Sequence, residues 1–510
     1  GRLGIPLTIS TDPRNHFQVT AGASVVSTGF SKWPETLGFG AIGDPDLVRR
    51  FAAIIAREYR AVGIHMALSP QADLATEPRW SRINGTFGED PERVRALVKA
   101  YVQGLQGDPR RLTSGGVAAV VKHWVGYGAA VDGFDGHNFY GRYSRFQSGQ
   151  FDAHVVPFKG AFEAGVAGVM PTYNIVDGVM LDGRPLEAVG AGFNAQLLTD
   201  LLRQKHGFRG LVLSDWAITR DCPASCRTGA PPQPPQEIAM PWGVESLSTM
   251  ERFAKGMNAG IDQFGGIDDG APLEDAVRGG LVPRSRLDEA VTGILNLKFD
   301  LGLFENPFVD PDKAAAVVGA PESQRQATAA QAQAMVVLKR APGRVLLPKP
   351  ESAIFLHGID TATARARGFR IVDDAAHADV AVIRLTAPFQ TLHPGFFFGR
   401  TQHEGDLDFK EDDAGLALVR ASAAVVPTIV VVYLDRPAIL TSLKPLAKAL
   451  IGEFGISDGA LFDALTGRVM PVGRLPFELP GSMIDVRRQS PGAPHDSRAP
   501  LYPLGYRAPR

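Results

Sequence analysis

The stretch GLVLSDW, residues 210–216, decides the fold and raises the question of function. Its first half, Leu211-Val212-Leu213, is a short apolar run that suits a strand buried on both faces. Asp215 follows almost at once, although burying a carboxylate is costly. A carboxylate at the end of a buried strand indicates a site of chemistry, because a charge without a role at that place usually lies on a loop.

Five further runs of this kind occur in the first 300 residues and alternate with helical patterns. The six runs are PLTIS (6–10), IHMALSP (64–70), VAAVVKHW (117–124), AGVMPTY (167–173), GLVLSDW (210–216) and GIDQFGG (260–266). Between them, Asp44-Pro45 and Asp90-Pro91 are typical of helix starts, since an acidic cap precedes a proline in the first turn. Alternation of buried strands and helices predicts a parallel sheet.

Polar residues collect at the carboxyl ends of several runs, which separates a barrel from an open sheet. They are Asp12, Lys122-His123, Tyr173 and Asp215-Trp216. In a (β/α)8 barrel such ends converge on one face, whereas an open sheet binds its ligand at one switch point. We therefore predict a (β/α)8-type barrel over residues 1–305, and expect it to be incomplete or irregular because six runs are visible instead of eight.

A second set of strand-like runs predicts a smaller α/β sandwich domain over residues 351–510. The runs are AIFLHG (353–358), ADVAVIRL (378–385), PTIVVVYL (427–434) and KALIGEFG (448–455), and residues 306–350 are interpreted as a linker with a connecting helix. The long loop between the second and third runs is typical of a functional loop. Its three consecutive phenylalanines, residues 396–398, favour packing over disorder.

The bulk composition excludes several functional classes. The 510 residues are 45% hydrophobic and 21% charged with a net charge of -1, which favours neither nucleic acid nor an anionic membrane as partner. No apolar run has the roughly 18–20 residues of a membrane-spanning helix. No signal peptide is visible, and the start without Met leads us to expect an upstream segment. A periplasmic or secreted location is favoured over the cytoplasm.

The neighbouring residues determine how two short motifs are interpreted. Cys222 and Cys226 lie in a loop rich in turn formers, which we expect to be exposed, and a disulfide is favoured over free thiols. Two cysteines do not make a zinc site, and no histidine spacing predicts a metal. GFGAIG (38–43) matches a dinucleotide pattern, but no strand precedes it, so a loop before a capped helix is expected and no cofactor is predicted.

The strand-end residues predict recognition of a sugar. Asp12, Arg82, Lys122, His123 and Asp215 provide two acceptors and three donors around one mouth, the mixture that binds vicinal hydroxyls. Lys122 as a Schiff-base nucleophile is disfavoured, because a neighbouring carboxylate holds its ammonium charged.

A lone carboxylate does not cleave a glycosidic bond, since a second group must protonate the leaving oxygen. The candidates for that acid are Glu404 on the long loop and His137, which follows Asp135 by two residues in VDGFDGHN.

At these residues the sequence resembles glycoside hydrolase family 3, the β-glucosidase-type enzymes. The motifs that carry the resemblance are RLGIPLTISTD, EPRWSRINGTFGEDPERV, VVKHWVGYG, GVMPTYN, GFRGLVLSDW, KFDLGLFENP and GRLPFELP, and they span nearly the whole chain. The resemblance implies a barrel followed by an α/β sandwich, with the active site between them. It also implies that the usual start of the family, including a first barrel strand, is absent from this sequence.

The resemblance implies a retaining, exo-acting β-glucosidase without metal or cofactor. Its nucleophile would be Asp215, its acid/base Glu404, and the two carboxyls would lie roughly 5–5.5 Å apart. Substrate would be bound by Asp12, Arg82, Lys122, His123, Met170, Tyr173 and Trp216. Asp12 matches less closely, because STDPRNHF departs from the family's Gly-x-Asp-x-x-His-Gly.

The resemblance leaves the specificity within the family open. Asp135-Gly136-His137 resembles the Asp-x-His dyad of the β-N-acetylglucosaminidase branch, although its spacing after the Lys-His motif is longer. A β-xylosidase, or a sugar-binding relative without catalysis, would carry the same motifs. In every case the expected partner is an oligosaccharide or glycoside.

Overall fold

The computed structural model describes residues 2–17, 29–340, 347 and 350–509. Its first sheet has six parallel strands, and each strand pairs with the next one along the chain. The strands are β1 (Ser10–Thr11), β2 (Met66–Ala67), β3 (Ala118–Trp124), β4 (Gly168–Pro171), β5 (Leu211–Trp216) and β6 (Gln263–Gly265). This sequential order is that of a (β/α) barrel. In the described residues β1 and β6 remain the two edges, so the predicted incomplete barrel is confirmed.

Helices connect these strands. They are α1 (Thr36–Ile42), α2 (Pro45–Ala61), α3 (Pro91–Gln106), α4 (Phe151–Glu163), a π-helix (Gln196–Lys205), α5 (Ala224–Thr228), α6 (Thr249–Ala259), α7 (Ala271–Arg278) and α8 (Arg284–Asp300). Asp44 and Asp90 cap α2 and α3 as predicted, because their carboxylates accept from the N–H groups of Asp46 and Arg93. The predicted loop at GFGAIG is wrong, since these residues belong to α1, which ends at Gly43 in a left-handed conformation.

The two faces of the barrel sheet form two cores, because side chains alternate along each strand. Ala119, Val121, Val169 and Val212 point outward into a cluster with α2, α3 and α4. Inward residues fill the barrel interior together with leucines at the end of α8; they are Met66, Leu68, Ala118, Val120, Met170, Leu211, Leu213, Leu297, Leu301 and Leu303. The interior is therefore packed, and the polar residues lie beyond it at the carboxyl ends of the strands.

A second six-stranded sheet forms the α/β sandwich. Its strands are β7 (Val336–Lys339), β8 (Ala353–His357), β9 (Arg370–Val372), β10 (Val380–Thr386), β11 (Thr428–Tyr433) and β12 (Ala449–Glu453), in the order β9-β8-β10-β11-β12-β7. All neighbours are parallel except β7, which is antiparallel to β12. The helices are α9 (Pro311–Val317), α10 (Pro321–Ala334), α11 (Thr361–Arg365), α12 (Ala414–Ala423), α13 (Asp458–Leu465) and α14 (Met483–Val486).

Strand β7 lies within the stretch that the sequence analysis interprets as a linker, residues 306–350. Four apolar residues next to a helix carry too weak a period to be read as a strand. Strand β9 is three residues long and follows a short helix, so the sequence runs indicate only four of the six strands.

The barrel and the sandwich share one hydrophobic cluster. Leu37, Trp80 and Trp242 of the barrel belong to it together with Val430 and Leu434 of the sandwich. A continuous apolar interface of this kind holds the loops of both domains in a fixed relation. The long loop after β10 lies at this interface, and its Phe396 and Phe398 are buried, as the packing argument predicts.

Small elements complete the barrel side. Tyr143–Arg145 pairs with Ile175–Asp177, and Met180–Leu181 pairs with Arg184–Pro185. Cys222 and Cys226 form the predicted disulfide across the start of α5. Their predicted exposure is wrong, because both side chains are buried in the cluster that the domains share.

Candidate active site

The carboxyl ends of the barrel strands bring together most of the residues predicted from the sequence. Asp12 follows β1, Lys122 and His123 lie in β3, Tyr173 follows β4, and Asp215 lies in β5. Because all six strands are parallel, these side chains emerge at one end of the sheet.

Asp215 has two oxygens in different surroundings. Its Oδ1 accepts from the hydroxyl of Tyr173 at 2.6 Å and from the N–H of Trp216 at 2.8 Å. Its Oδ2 is buried and has no hydrogen-bond partner among the described residues, and His123 Nε2 lies 3.9 Å away. One oxygen is therefore fixed while the other remains free for a ligand atom.

His123 is oriented by Asp73, a residue that the sequence analysis did not single out. His123 Nδ1 lies 2.8 Å from Asp73 Oδ2, and both side chains are buried. Burial lowers the pKa of His123 well below its usual range, and the charges of Arg82 and Lys122 act in the same direction. A neutral ring that donates its Nδ1–H to Asp73 presents Nε2 to Asp215 as an acceptor, whereas the sequence pattern predicts His123 as a donor.

Two cations stand beside this pair. Lys122 Nζ donates to Asp12 Oδ1 at 2.5 Å, so the ammonium pairs with Asp12. Arg82 is partly buried, which opposes its charge, but Tyr127, Asp135 and Asp215 raise its pKa above the usual value. Arg82 Nη1 is buried without a partner among the described residues.

A cavity of about 370 Å³ opens beside these groups, within the range of small-molecule sites. Asp12, Arg82 and Lys122 are among the residues that line it, whereas Asp215 and His123 are not. His137 and Phe398 also line it, so loops of both domains contribute.

His137 and Asp135 form the predicted pair. His137 Nδ1 lies 2.6 Å from Asp135 Oδ1, and Trp80 Nε1 donates to Asp135 Oδ2 at 3.1 Å. Burial raises the pKa of Asp135, but His137 and Arg82 outweigh it and hold the pKa below its usual range. The His137 ring packs against Tyr173, with ring centroids 4.7 Å apart, and Tyr173 bonds Asp215.

Glu404 is buried on the long loop and has both oxygens occupied. Tyr140 donates its hydroxyl to Oε1 at 2.6 Å, and His393 Nδ1 lies 2.9 Å from Oε2. The Tyr140 and His393 rings stack with centroids 3.6 Å apart. Glu404 is not among the cavity-lining residues, although its neighbours Gln402 and His403 are.

Arg436 ties the loop of Glu404 to the barrel. Its guanidinium donates to the carbonyls of Arg79 on the barrel side and of Pro388 and Gly405 on the loop. Gln402 adds a second tie, since its Oε1 accepts from Asn138 Nδ2 at 2.9 Å.

Two predicted substrate residues differ in their positions. Trp216 is partly exposed beside Asp215, and Gly265 and Gly266 leave room for its indole, because a Cβ at either position would overlap the ring. Met170 is fully buried among the apolar side chains of the barrel interior. Of the two, only Trp216 offers an accessible surface.

Comparison with known families agrees with this architecture. The Glycosyl hydrolase family 3 N terminal domain matches residues 1–297, and the Glycosyl hydrolase family 3 C-terminal domain matches residues 256–508. The chain belongs to glycosyl hydrolase family 3.

Relatives within family 3 align over nearly the whole chain. A periplasmic beta-glucosidase/beta-xylosidase of Dickeya chrysanthemi is 52% identical and covers 100% of this chain and 78% of its own length. Beta-glucosidase C of Emericella nidulans is 38% identical, over 99% of this chain and 79% of its own length. A β-glucosidase of Erythrobacter marinus shares the fold, with a TM-score of 0.80 at 23% identity over 99% of this chain and 72% of that one.

Sequence reasoning missed several residues of this family 3 site. Asp73, Tyr140 and His393 each bond a predicted residue. Asp73 had a usable signal, since it follows the run IHMALSP at a strand end like the others. Tyr140 and His393 had none, because their pairing with Glu404 depends on how two loops of different domains meet.

The described ranges contain neither a cluster of metal-binding side chains nor a helix that could span a membrane. Within them, no group of three or more His, Cys, Asp or Glu side chains is placed to hold a metal ion. None of the helices there is both long enough and apolar enough to cross a membrane.

Proposed function

We propose that this family 3 chain is an exo-acting, retaining β-glucosidase that removes terminal non-reducing β-D-glucosyl residues. The observation that carries the proposal is the asymmetry of Asp215. A nucleophilic carboxylate needs one oxygen held in place and one free to attack, and Oδ1 and Oδ2 meet these two requirements. The names of the Dickeya and Emericella relatives support the choice of glucose.

In the proposed first step, Asp215 Oδ2 attacks the anomeric carbon while the carboxylic acid of Glu404 protonates the leaving glycosidic oxygen. The C–O bond to the leaving group breaks as the aspartyl ester forms. In the second step Glu404, now a carboxylate, removes a proton from water, and that water displaces Asp215. The sugar leaves with its original anomeric configuration.

The remaining side chains hold the glucosyl ring in this proposal. Asp12 accepts from its hydroxyls, and Lys122 and Arg82, which line the cavity with it, donate to them. His123 Nε2 accepts from a hydroxyl close to Asp215. Asp215 in turn helps to hold the Arg82 guanidinium charged, because it raises the pKa of Arg82. Trp216 borders the leaving group, whereas Met170 contributes only by supporting the strand beneath the site.

His137 is a second candidate for the acid, and one observation favours it. It lines the cavity and contacts Tyr173, whereas Glu404 is covered by Tyr140 and His393. We retain Glu404 as the proposed acid/base because it lies on the long loop where the resemblance places that residue, and because Tyr140 and His393 hold its carboxyl in position.

Trapping with a 2-deoxy-2-fluoro-β-glucoside that carries an activated leaving group tests the nucleophile. We expect stoichiometric inactivation and a mass increase of one fluoroglucosyl unit on the peptide that contains Asp215. Labelling of another carboxylate, or turnover without a trapped ester, would overturn the proposed mechanism. Sugar binding without turnover of any glycoside would instead indicate a silent relative.

A second activity toward β-xylosides has specific support. The Dickeya relative carries both activities in its name. A comparison of kcat/KM for aryl β-glucoside, β-xyloside and β-N-acetylglucosaminide substrates separates the three specificities. We expect the glucoside to be preferred.

The location of the protein is a separate proposal. The same relative is named periplasmic, and the Cys222–Cys226 disulfide is in keeping with an oxidising compartment, so we propose a periplasmic location.

A further inference from the structure

The long loop that carries Glu404 is closed at its base by two backbone hydrogen bonds. The N–H of Gln390 donates to the carbonyl of Glu404 at 2.8 Å, and the N–H of Glu404 donates to the carbonyl of Gln390 at 3.2 Å. We call the excursion between them, residues 391–403, the acid loop. His393, which bonds Glu404 Oε2, lies near its start. The place of the Glu404 carboxyl therefore depends on what holds the acid loop.

The far end of the acid loop is held by a residue of the barrel, Gln233. Its N–H donates to the carbonyl of Gly395 at 2.8 Å, and its side-chain Oε1 accepts from the N–H of Phe397 at 3.1 Å. Its own carbonyl accepts from Arg400 Nη2 at 2.6 Å. Three polar groups of one residue thus bond one loop of the other domain.

Gln233 is itself fixed within its own segment of the barrel. Its side chain is buried, and its Nε2 donates to the carbonyl of Glu237 at 3.0 Å. Ser225, which lies between the bridged cysteines, bonds the Glu237 side chain and attaches the segment to α5. A buried amide whose oxygen and nitrogen both have partners keeps one orientation, because turning it would bring a donor against the N–H of Phe397.

The acid loop passes this restraint on to Glu404 through aromatic rings. Phe396, which lies between two residues that Gln233 bonds, packs edge-on against Tyr140 with ring centroids 4.8 Å apart. Tyr140 donates to Glu404 Oε1 and stacks on His393, which bonds Oε2. A displaced loop end would therefore loosen the contacts that hold both oxygens of the carboxyl.

We propose that Gln233 is a positioning residue for the acid/base, because it holds the far end of the acid loop and so sets the place of Glu404 relative to Asp215. This inference rests on the proposed function of Glu404. Gln233 does not line the cavity, and the partners of Asp215 belong to the barrel sheet or its edge. Loss of Gln233 should therefore impair proton transfer to the leaving oxygen and spare the nucleophilic attack.

The test compares Gln233→Ala with the parent chain on two aryl β-glucosides. A dinitrophenolate leaves without a proton, whereas a phenolate needs one. We expect kcat/KM to fall about 10-fold or more for the phenyl glucoside and to stay within about 2-fold for the dinitrophenyl glucoside. An equal fall on both substrates would indicate a general structural role and would overturn the proposal, as would no fall on either.

Two further variants test whether the effect arises from the bonds to the acid loop. Gln236→Ala makes the same change at an exposed side chain three residues along the segment, and it should leave both rates unchanged. Arg400→Ala removes one of the bonds from the exposed side of the acid loop, and it should shift the substrate ratio in the same direction by a smaller factor. A shift with Gln236→Ala as large as that with Gln233→Ala would overturn the proposal.

A double variant separates this inference from the proposed function. In a Glu404→Ala background no acid remains to be positioned, so adding Gln233→Ala should lower neither rate further. A further loss confined to the phenyl glucoside would overturn the inference. If Glu404→Ala itself lowers both rates equally, the proposed role of Glu404 is overturned and the inference with it. If Glu404→Ala distinguishes the two leaving groups but Gln233→Ala does not, only the inference is overturned.

Discussion

Asp215 and Glu404 are held in the site by two different kinds of structure. Asp215 lies in β5, and its anchoring partners, Tyr173 and the N–H of Trp216, belong to the same sheet or its edge. Glu404 lies on a loop of the second domain and reaches the barrel through Tyr140. The proposed nucleophile is therefore a property of one strand, and the proposed acid/base is a property of the domain interface.

The two carboxyls also differ in how many of their oxygens already have a hydrogen-bond partner. Next to His123, Asp215 has an oxygen that finds no hydrogen-bond partner in the described part of the chain, whereas Tyr140 and His393 occupy both oxygens of Glu404. An attacking group must be exposed to its target before the reaction, while an acid must keep a proton until the leaving oxygen arrives. The comparison predicts that the two sites respond differently to mutation.

Replacing the nucleophile should give the largest effect. We expect Asp215→Asn to lower kcat by about 10,000-fold or more on every substrate, because an amide cannot form the glycosyl ester. Stopped assays with an aryl β-glucoside measure this loss. Asp177→Asn, the same change at an exposed position, should keep full activity. If Asp215→Asn retained substantial activity, Asp215 would not be the nucleophile, and its comparison with Glu404 would no longer hold.

Replacing the acid/base should give an effect that depends on the leaving group. We expect Glu404→Ala to lower kcat/KM about 1,000-fold for cellobiose and far less for an activated aryl glucoside, which needs little protonation. Azide should restore the second step and yield the β-glycosyl azide. His137→Ala, measured alongside, should show neither pattern. If His137→Ala is the variant that azide rescues, the acid belongs to the barrel.

The strand-end chemistry was accessible from the sequence because it follows from local pattern. Lys122, His123 and Asp215 are each preceded by a buried apolar run, and in a parallel sheet such residues must meet at one end. The same reasoning predicts the barrel and the caps of α2 and α3. Applied to every polar residue that follows an apolar run, the same reasoning also predicts Asp73.

The interface chemistry was not accessible in this way. Tyr140 and Glu404 are 264 residues apart in sequence, as are Asn138 and Gln402, and no local period connects them. Glu35 of the barrel side accepts from the hydroxyl of Tyr433 in β11 at 2.6 Å, although it follows a proline at the start of α1, where its neighbours suggest only a helix start. Such contacts depend on how two domains pack, which the pattern of one segment does not encode.

Removing one anchor of the nucleophile should give an intermediate effect. Tyr173→Phe deletes the hydroxyl that donates to Asp215 Oδ1, and a hydrogen bond to a charged group contributes about 1.5–3 kcal/mol. We therefore expect kcat to fall roughly 10- to 100-fold with little change in KM. Tyr502→Phe is the matched control, since its buried hydroxyl has no partner in the described part of the chain. A change confined to KM would place Tyr173 in substrate binding instead.

The last effect concerns stability at the interface and leaves the rate of the reaction aside. Glu35 has a pKa of about 8 in the folded chain against a usual value of 4.5, mainly through burial. The folded state thus binds one proton more than the unfolded state between these values, so its stability falls as the pH rises from about 5 to 8. Glu35→Gln has no ionisable group at this position, so its stability does not fall in this way.

The experiment compares the free energy of unfolding of the two proteins. Raising the pH from 5.5 to 8 should favour the variant over the parent chain by about 2–3 kcal/mol. Urea unfolding of both proteins at the two pH values measures the difference. Parallel changes in both proteins would mean that Glu35 is already ionised in the folded state.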